Sequence, residues 1–166
     1  LRAGTQTLVN RPADFAATRR CITAWPTDPR EWPGPLLEGA RAEVAALIRA
    51  IVEDGGEEVV LLTHGDECEA DARRALAGTP IRYLRLAYGD IWLRDTGPLF
   101  VRTAAGVAAR CFRTNGWGGK YDFPDDHGLS ARVARALELE LEECPWILEG
   151  GAIDSNGEGT LLTTEQ

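Results

Sequence analysis

Long apolar runs, an excess of basic charge and closely spaced metal-binding residues are all missing from this chain. Nothing approaches 18 consecutive apolar residues, so no helical membrane span is read. The segment Leu1–Thr7 lacks a signal peptide's apolar core. Formal net charge is −8, and no basic stripe exists for a nucleic-acid backbone to meet. The four cysteines, Cys21, Cys68, Cys111 and Cys144, show no CxxC spacing. The two histidines, His64 and His127, show no HxxxH or HxH spacing, so no metal site is read. Without a secretory signal, the thiols read as free thiols of a reducing, cytoplasmic compartment. Cys68 and Cys111 each read as a small buried apolar residue rather than a nucleophile.

What is present is the profile of one globular domain of 166 residues, 44% hydrophobic and 27% charged. Residues 19–25 read as a strand closed by Pro26, followed by a Pro- and Trp-rich ordered loop to Pro35. Leu37, Ala40, Val44, Leu47, Ile48 and Ile51 recur at helical spacing, and Gly55-Gly56 stop that helix. Val59–Thr63 is a short apolar strand, and Asp66 is placed to cap a helix running to about Ala77. Ile81–Leu86 reads as a strand. Leu99–Arg102 and Val107–Phe112 read as a hairpin turning at Ala104-Ala105-Gly106. A loop from Asn115 to Asp126, a helix from Gly128 to Leu139, a strand from Trp146 to Glu149 and a closing hairpin complete the chain. Intermixed strands and helices give an α/β or α+β pattern. The hairpins argue against a purely parallel sheet.

Chemistry concentrates in Asp90-Ile91-Trp92-Leu93-Arg94-Asp95-Thr96-Gly97-Pro98, a turn at the mouth of a strand. A carboxylate accepts paired N–H donors and an indole face takes a π-surface, so Asp95 with Trp92 fits a guanidinium. Asp95 reads equally as an acceptor of backbone N–H groups within its own turn. In an extended strand Trp92 shares a face with Arg94, so bringing Trp92 beside Asp95 requires a bend. Arg94 then reads as a structural partner for Asp90 or another acid. Glu149, just before Gly150-Gly151, reads either as an acid aimed into a pocket from a sheet rim or as a solvated loop acid. Trp117, set among glycines in Asn115-Gly116-Trp117-Gly118-Gly119-Lys120, reads as an aromatic wall over a pocket or as a loop anchor. The strand and helix context of a phosphate loop is absent there.

Four segments in order resemble the agmatine deiminase and bacterial-type peptidylarginine deiminase family. They are Ala24-Trp25-Pro26 with Trp32-Pro33, the run from Asp90 to Val101, Asn115 to Tyr121, and Leu148-Glu149-Gly150-Gly151 with Gly157 to Glu165. The resemblance implies an α/β pentein fold, a pseudo-fivefold propeller of ββαβ modules, present here as a partial propeller. It implies that residues 1–166 are the N-terminal half of a single catalytic domain. The implied activity is hydrolysis of a guanidine, most simply agmatine, to a ureido product and ammonia, without metal or organic cofactor. Peptidyl-arginine or free arginine as substrate, and an inactive fragment serving as a binding module, are the alternatives. By resemblance Asp95 and Glu149 are the catalytic acids, with Asp95 on the guanidinium, and Trp92 and Trp117 line the substrate pocket. The family's nucleophilic Cys and its catalytic His match no residue of this chain. The run Ala152–Asn156 also departs from the family's pattern. The partners implied are a small cationic guanidine and the other half of the protein, with homo-oligomerisation open. Leu1 in place of Met, and Gln166 directly after an apolar strand, are read as marks of a longer protein.

Overall fold

The computed structural model describes residues 10–164. Leu1–Thr7, Glu165 and Gln166, used in the sequence reading, lie outside the described residues.

The centre of the molecule is set by one uninterrupted apolar run. Strand β2 (Glu58–Thr63) is buried along all of its length but the first residue, which is the pattern of a parallel strand covered on both faces. It lies between β1 (Arg20–Ala24) and β3 (Arg82–Arg85), and both pairings are parallel. This first sheet holds no hairpin and is wholly parallel; the predicted hairpin lies after β3, and the sheet it enters is mixed. Helices α1 (Leu36–Glu53) and α2 (Gly65–Ala75) are the crossovers. Ala45, Ile48, Ala72 and Leu76 pack them onto Trp25, Val59 and Leu61. On the opposite face Ala24, Val60, Leu62 and Tyr88 meet Leu129 and Val133. Trp25 is fully buried, and its indole donates to Asp71 at 3.0 Å.

Asp66 does not cap α2. His64 holds the N-cap position without a side-chain bond, and Asp66 sits in the first turn. There its charge faces the positive helix end and pairs with Arg85.

The second unit is a ββαβ module. Strands β4 (Leu99–Thr103) and β5 (Gly106–Arg113) form the predicted hairpin, and β5 pairs in parallel with β6 (Glu140–Ile147). Within the Asp90–Pro98 segment ahead of this hairpin, and again after β5, lie two one-turn elements, α3 (Leu93–Thr96) and α4 (Gly116–Gly119). Helix α5 (Leu129–Ala136) crosses from β5 to β6. It serves both units: Leu129 and Val133 face the first sheet, Ala131 and Ala134 face Ala109 and Cys111 of the second.

Helix α5 stops three residues before its predicted end. Glu138 takes φ 57°, and the Leu139 N–H bonds back to the Ala134 carbonyl at 3.0 Å. The Glu138 N–H bonds to Arg135 at 3.0 Å, which completes a two-bond helix C-cap with a non-glycine left-handed residue. Strand β6 therefore starts six residues earlier than the predicted Trp146. Its opening run of Glu and Leu alternates at period two on an edge strand, where Pro145 is tolerated. A short hairpin of β7 (Ile153–Ser155) and β8 (Leu161–Thr163) closes the described chain. Asn10 bridges to Arg102, and Ser155 N–H donates to Asp14 at 2.7 Å, so the leading segment ties β4 to β7.

Candidate active site

The segments that carry the candidate residues follow the C-terminal ends of parallel strands: β1 leads to Glu31, β3 to Asp90–Asp95, β5 to Trp117 and β6 to Glu149. That is the edge where open α/β sheets place ligands.

The bend that the sequence reading required is α3. Asp95 N–H bonds to the Trp92 carbonyl at 3.0 Å, Thr96 N–H to the same oxygen at 3.1 Å, and Gly97 N–H to Leu93 at 2.9 Å. This single turn places residues three apart on one side. Trp92 and Asp95 accordingly line the same cavity. Arg94 leaves the other way. It bonds to Asp14 at 3.0 Å and to the Ile153 carbonyl at 3.1 Å, so its acid partner is Asp14 and not Asp90.

Each oxygen of Asp95 has one protein donor. Oδ1 accepts the Gly151 N–H at 2.8 Å, and Oδ2 accepts the Trp117 indole N–H at 3.2 Å. The glycines after Glu149 serve close approach. A Cβ at Gly151 would collide with Asp95 Oδ1, and one at Gly150 with the Arg94 carbonyl.

Trp117 stands in an unusual backbone. Gly116, Trp117, Gly118 and Gly119 have φ of 65°, 55°, 77° and 79°, which makes α4 a left-handed turn. Gly119 N–H closes it on the Asn115 carbonyl at 2.8 Å. Left-handed backbone costs an L-residue about 1–2 kcal/mol and glycine almost nothing, so three glycines confine that cost to Trp117. The Asn115 side chain accepts from Gly118 N–H at 2.8 Å. Glu149 Oε1 receives Thr114 Oγ1 at 3.3 Å, Trp117 N–H at 3.4 Å and Asn115 N–H at 3.5 Å. Glu149 thus backs the Trp117 turn, and it is not among the residues lining the cavity.

The cavity, about 940 Å³, is lined by Trp92, Asp95 and Trp117 and by residues the sequence reading did not single out as site residues: Arg30, Glu31, Trp32, Asp90, Lys120, Tyr121 and Phe123. Burial pushes the Glu31 carboxyl up to about 7, with the charges of Asp90, Asp28 and Asp126 adding to the effect. Burial also raises Asp90, opposed by the Ile91 N–H at 2.6 Å and by a hydrogen bond with Glu31. Asp126, 4% exposed, is raised by burial and holds the Asp90 loop through Gly89 N–H at 2.8 Å. Nothing in the spacing around Glu31 marked it, because the Pro-rich loop that carries it has no periodicity.

No cysteine or histidine lines this cavity. All four thiols are free, and burial raises Cys21, Cys111 and Cys144 above the ordinary thiol range, the opposite of an activated nucleophile. Cys68 is buried between the His64 N–H and the Tyr88 hydroxyl. His127 pairs with Asp122 at 2.7 Å. No group of three or more His, Cys, Asp or Glu poised to hold a metal occurs among the described residues, and no helix there is long and apolar enough to cross a membrane. The cavity as it stands sets three carboxylates, Glu31, Asp90 and Asp95, among aromatic rings, with Arg30 and Lys120 also on its lining.

The sequence profile of the Porphyromonas-type peptidyl-arginine deiminases matches residues 10–166. The chain belongs to this family. An agmatine deiminase of Stutzerimonas stutzeri is 36% identical over 168 residues, which cover 93% of this chain and 43% of that protein. Among solved structures, the agmatine deiminase of Enterococcus faecalis superposes with a TM-score of 0.81 at 24% identity, over 95% of this chain and 44% of that one. A C. jejuni agmatine deiminase superposes at 0.79 and 20% identity, over 98% and 47%. The chain therefore spans less than half the length of these deiminase relatives. The shared architecture is the pentein fold, of which the β4–β5–α5–β6 unit is a complete ββαβ module and the described chain a part.

Proposed function

We propose that this chain is the N-terminal half of the catalytic domain of a guanidine-hydrolysing deiminase, acting on agmatine to give N-carbamoylputrescine and ammonia. The observation that carries the reading is the Asp95 carboxylate. It is held by one N–H on each oxygen and faces a cavity walled by Trp92 and Trp117. A carboxylate so fixed keeps its outer lone pairs for the two N–H groups of a planar cation. The family membership, and the agmatine deiminases among the relatives, support the same choice.

In this reading Asp95 binds and orients the guanidinium, and the indoles of Trp92 and Trp117 bound its π-surface. Glu149 fixes the Trp117 turn through Oε1 and so orients the site from behind that turn. The remainder of the protein supplies a cysteine thiolate and a histidine. The thiolate attacks the guanidinium carbon and the C–N bond to one amino group breaks as that nitrogen takes a proton and leaves as ammonia. Water then adds to the thiouronium carbon as the histidine takes its proton, the C–S bond breaks, and the thiolate returns with the ureido product released. Orientation matters because a delocalised cation is a poor electrophile. The exposed Trp146, Ile147, Leu161 and Leu162 support packing of the remainder on this side.

The test is a colorimetric ureido assay on the full-length protein with agmatine, free arginine and an arginyl peptide. Turnover of agmatine above the other two is expected. Turnover of the peptide alone would move the assignment to a peptidyl-arginine deiminase, and none with any guanidine would defeat the reading.

A further inference from the structure

The left-handed turn at Gly116–Gly119 has a consequence for Asp95. A wall needs only an aromatic ring, which ordinary backbone supplies. Here the one non-glycine residue of the turn is held at φ 55°, and four groups keep it there. Asn115 accepts from Gly118, Glu149 accepts from the Trp117 N–H, the Asn115 carbonyl closes the turn, and Gly116 is buried where a Cβ would strike the Tyr121 carbonyl. Backbone strain of this kind persists only where the surroundings enforce it. What the enforced geometry delivers is the indole Nε1–H at 3.2 Å from Asp95 Oδ2, opposite the Gly151 N–H on Oδ1. Two donors from two separate loops define the plane of one carboxylate.

We propose that Trp117 is a positioning residue: its indole N–H, presented by the left-handed turn that Glu149 secures, fixes the Asp95 carboxylate in the plane a guanidinium requires. The catalytic consequence rests on the deiminase reading, whereas the indole–carboxylate contact does not.

The two are separated by paired measurements on the full-length protein. With 15N-labelled tryptophan and no substrate, Asp95→Asn moves the Trp117 indole proton upfield and speeds its exchange with solvent. An indole signal unmoved by Asp95→Asn overturns the proposal whether or not the protein is a deiminase. In steady-state kinetics, Trp117→Phe keeps the ring and removes the donor. It lowers kcat for agmatine by about 10- to 100-fold with KM changed little, as expected for one hydrogen bond to a charged group. Unchanged kinetics, or a loss confined to KM, assigns Trp117 to the wall alone and overturns the proposal. If Trp117→Phe fails to fold, the indole signal of the folded wild type and Asp95→Asn proteins decides. Absence of wild-type turnover, with the indole shift present, defeats the deiminase reading and leaves the contact standing.

Discussion

The two sheets of this chain are built to opposite specifications. In the first, β2 is covered on both faces and its residues Val59 to Thr63 are fully buried. In the second, β6 is an edge strand that leaves Trp146 69% and Ile147 55% exposed. Helix α5 belongs to both cores, so the second sheet is attached to the first through a shared helix. The difference separates stability from chemistry. The parallel sheet fixes the frame, and the candidate residues sit on turns at the ends of strands from both units. Asp95 comes from the first unit's final loop, and the donors that orient it come from the second. The site is a junction, and its geometry depends on both sheets keeping their register.

The largest effect expected is at that junction. Asp95→Asn in the full-length protein lowers kcat/KM for agmatine by about 10²- to 10⁴-fold, the loss of two charge-assisted hydrogen bonds. Retained turnover would remove Asp95 from the mechanism. Gly151→Ala follows, at roughly 10²-fold in kcat, because the new methyl must displace Asp95 Oδ1. A melting temperature close to wild type would show that the change acts on the site, and wild-type kinetics would show that Asp95 tolerates displacement.

The contrast between the sheets is then tested by denaturation. Leu61→Ala, in the first core, costs about 2–5 kcal/mol. Ile147→Ala costs about 2 kcal/mol in the full-length protein if the remainder covers β6, and below about 0.5 kcal/mol if that face stays open to solvent. A pH profile tests Glu31. Its folded carboxyl titrates near 7, above the ordinary value of 4.5. The folded state therefore holds this proton more tightly than the unfolded state. The resulting stabilisation is complete below about pH 4.5 and is lost as pH rises through about 7. Compared with Glu31→Gln, the wild type should lose melting temperature across that window. Parallel profiles would remove Glu31 as its source.

Much of this arrangement was legible before any coordinates. The continuous apolar run of β2, the Ala104-Ala105-Gly106 hairpin and the glycine stop after α1 each have one dominant local cause. The nearness of Trp92 to Asp95 was legible only as a condition, because a bend cannot be read from residues that also suit a strand. The end of α5 was hidden by Glu138, a helix former that here occupies a left-handed cap. The acidic run that follows resembles helix and pairs as strand, since the partner β5 decides it. The left-handed turn at Trp117 has a composition that fits any flexible loop, and it is held in part by Glu149, more than thirty residues away. Glu31 entered the site through tertiary placement alone.

The central claim is that Asp95 is the guanidinium receptor. A crystal structure of the full-length protein with bound agmatine tests it most directly. The account predicts the guanidinium plane between Trp92 and Trp117, with two of its nitrogens within hydrogen-bond distance of the Asp95 carboxylate. A guanidinium bound elsewhere, with Asp95 contacting only Gly151 and Trp117, would contradict it.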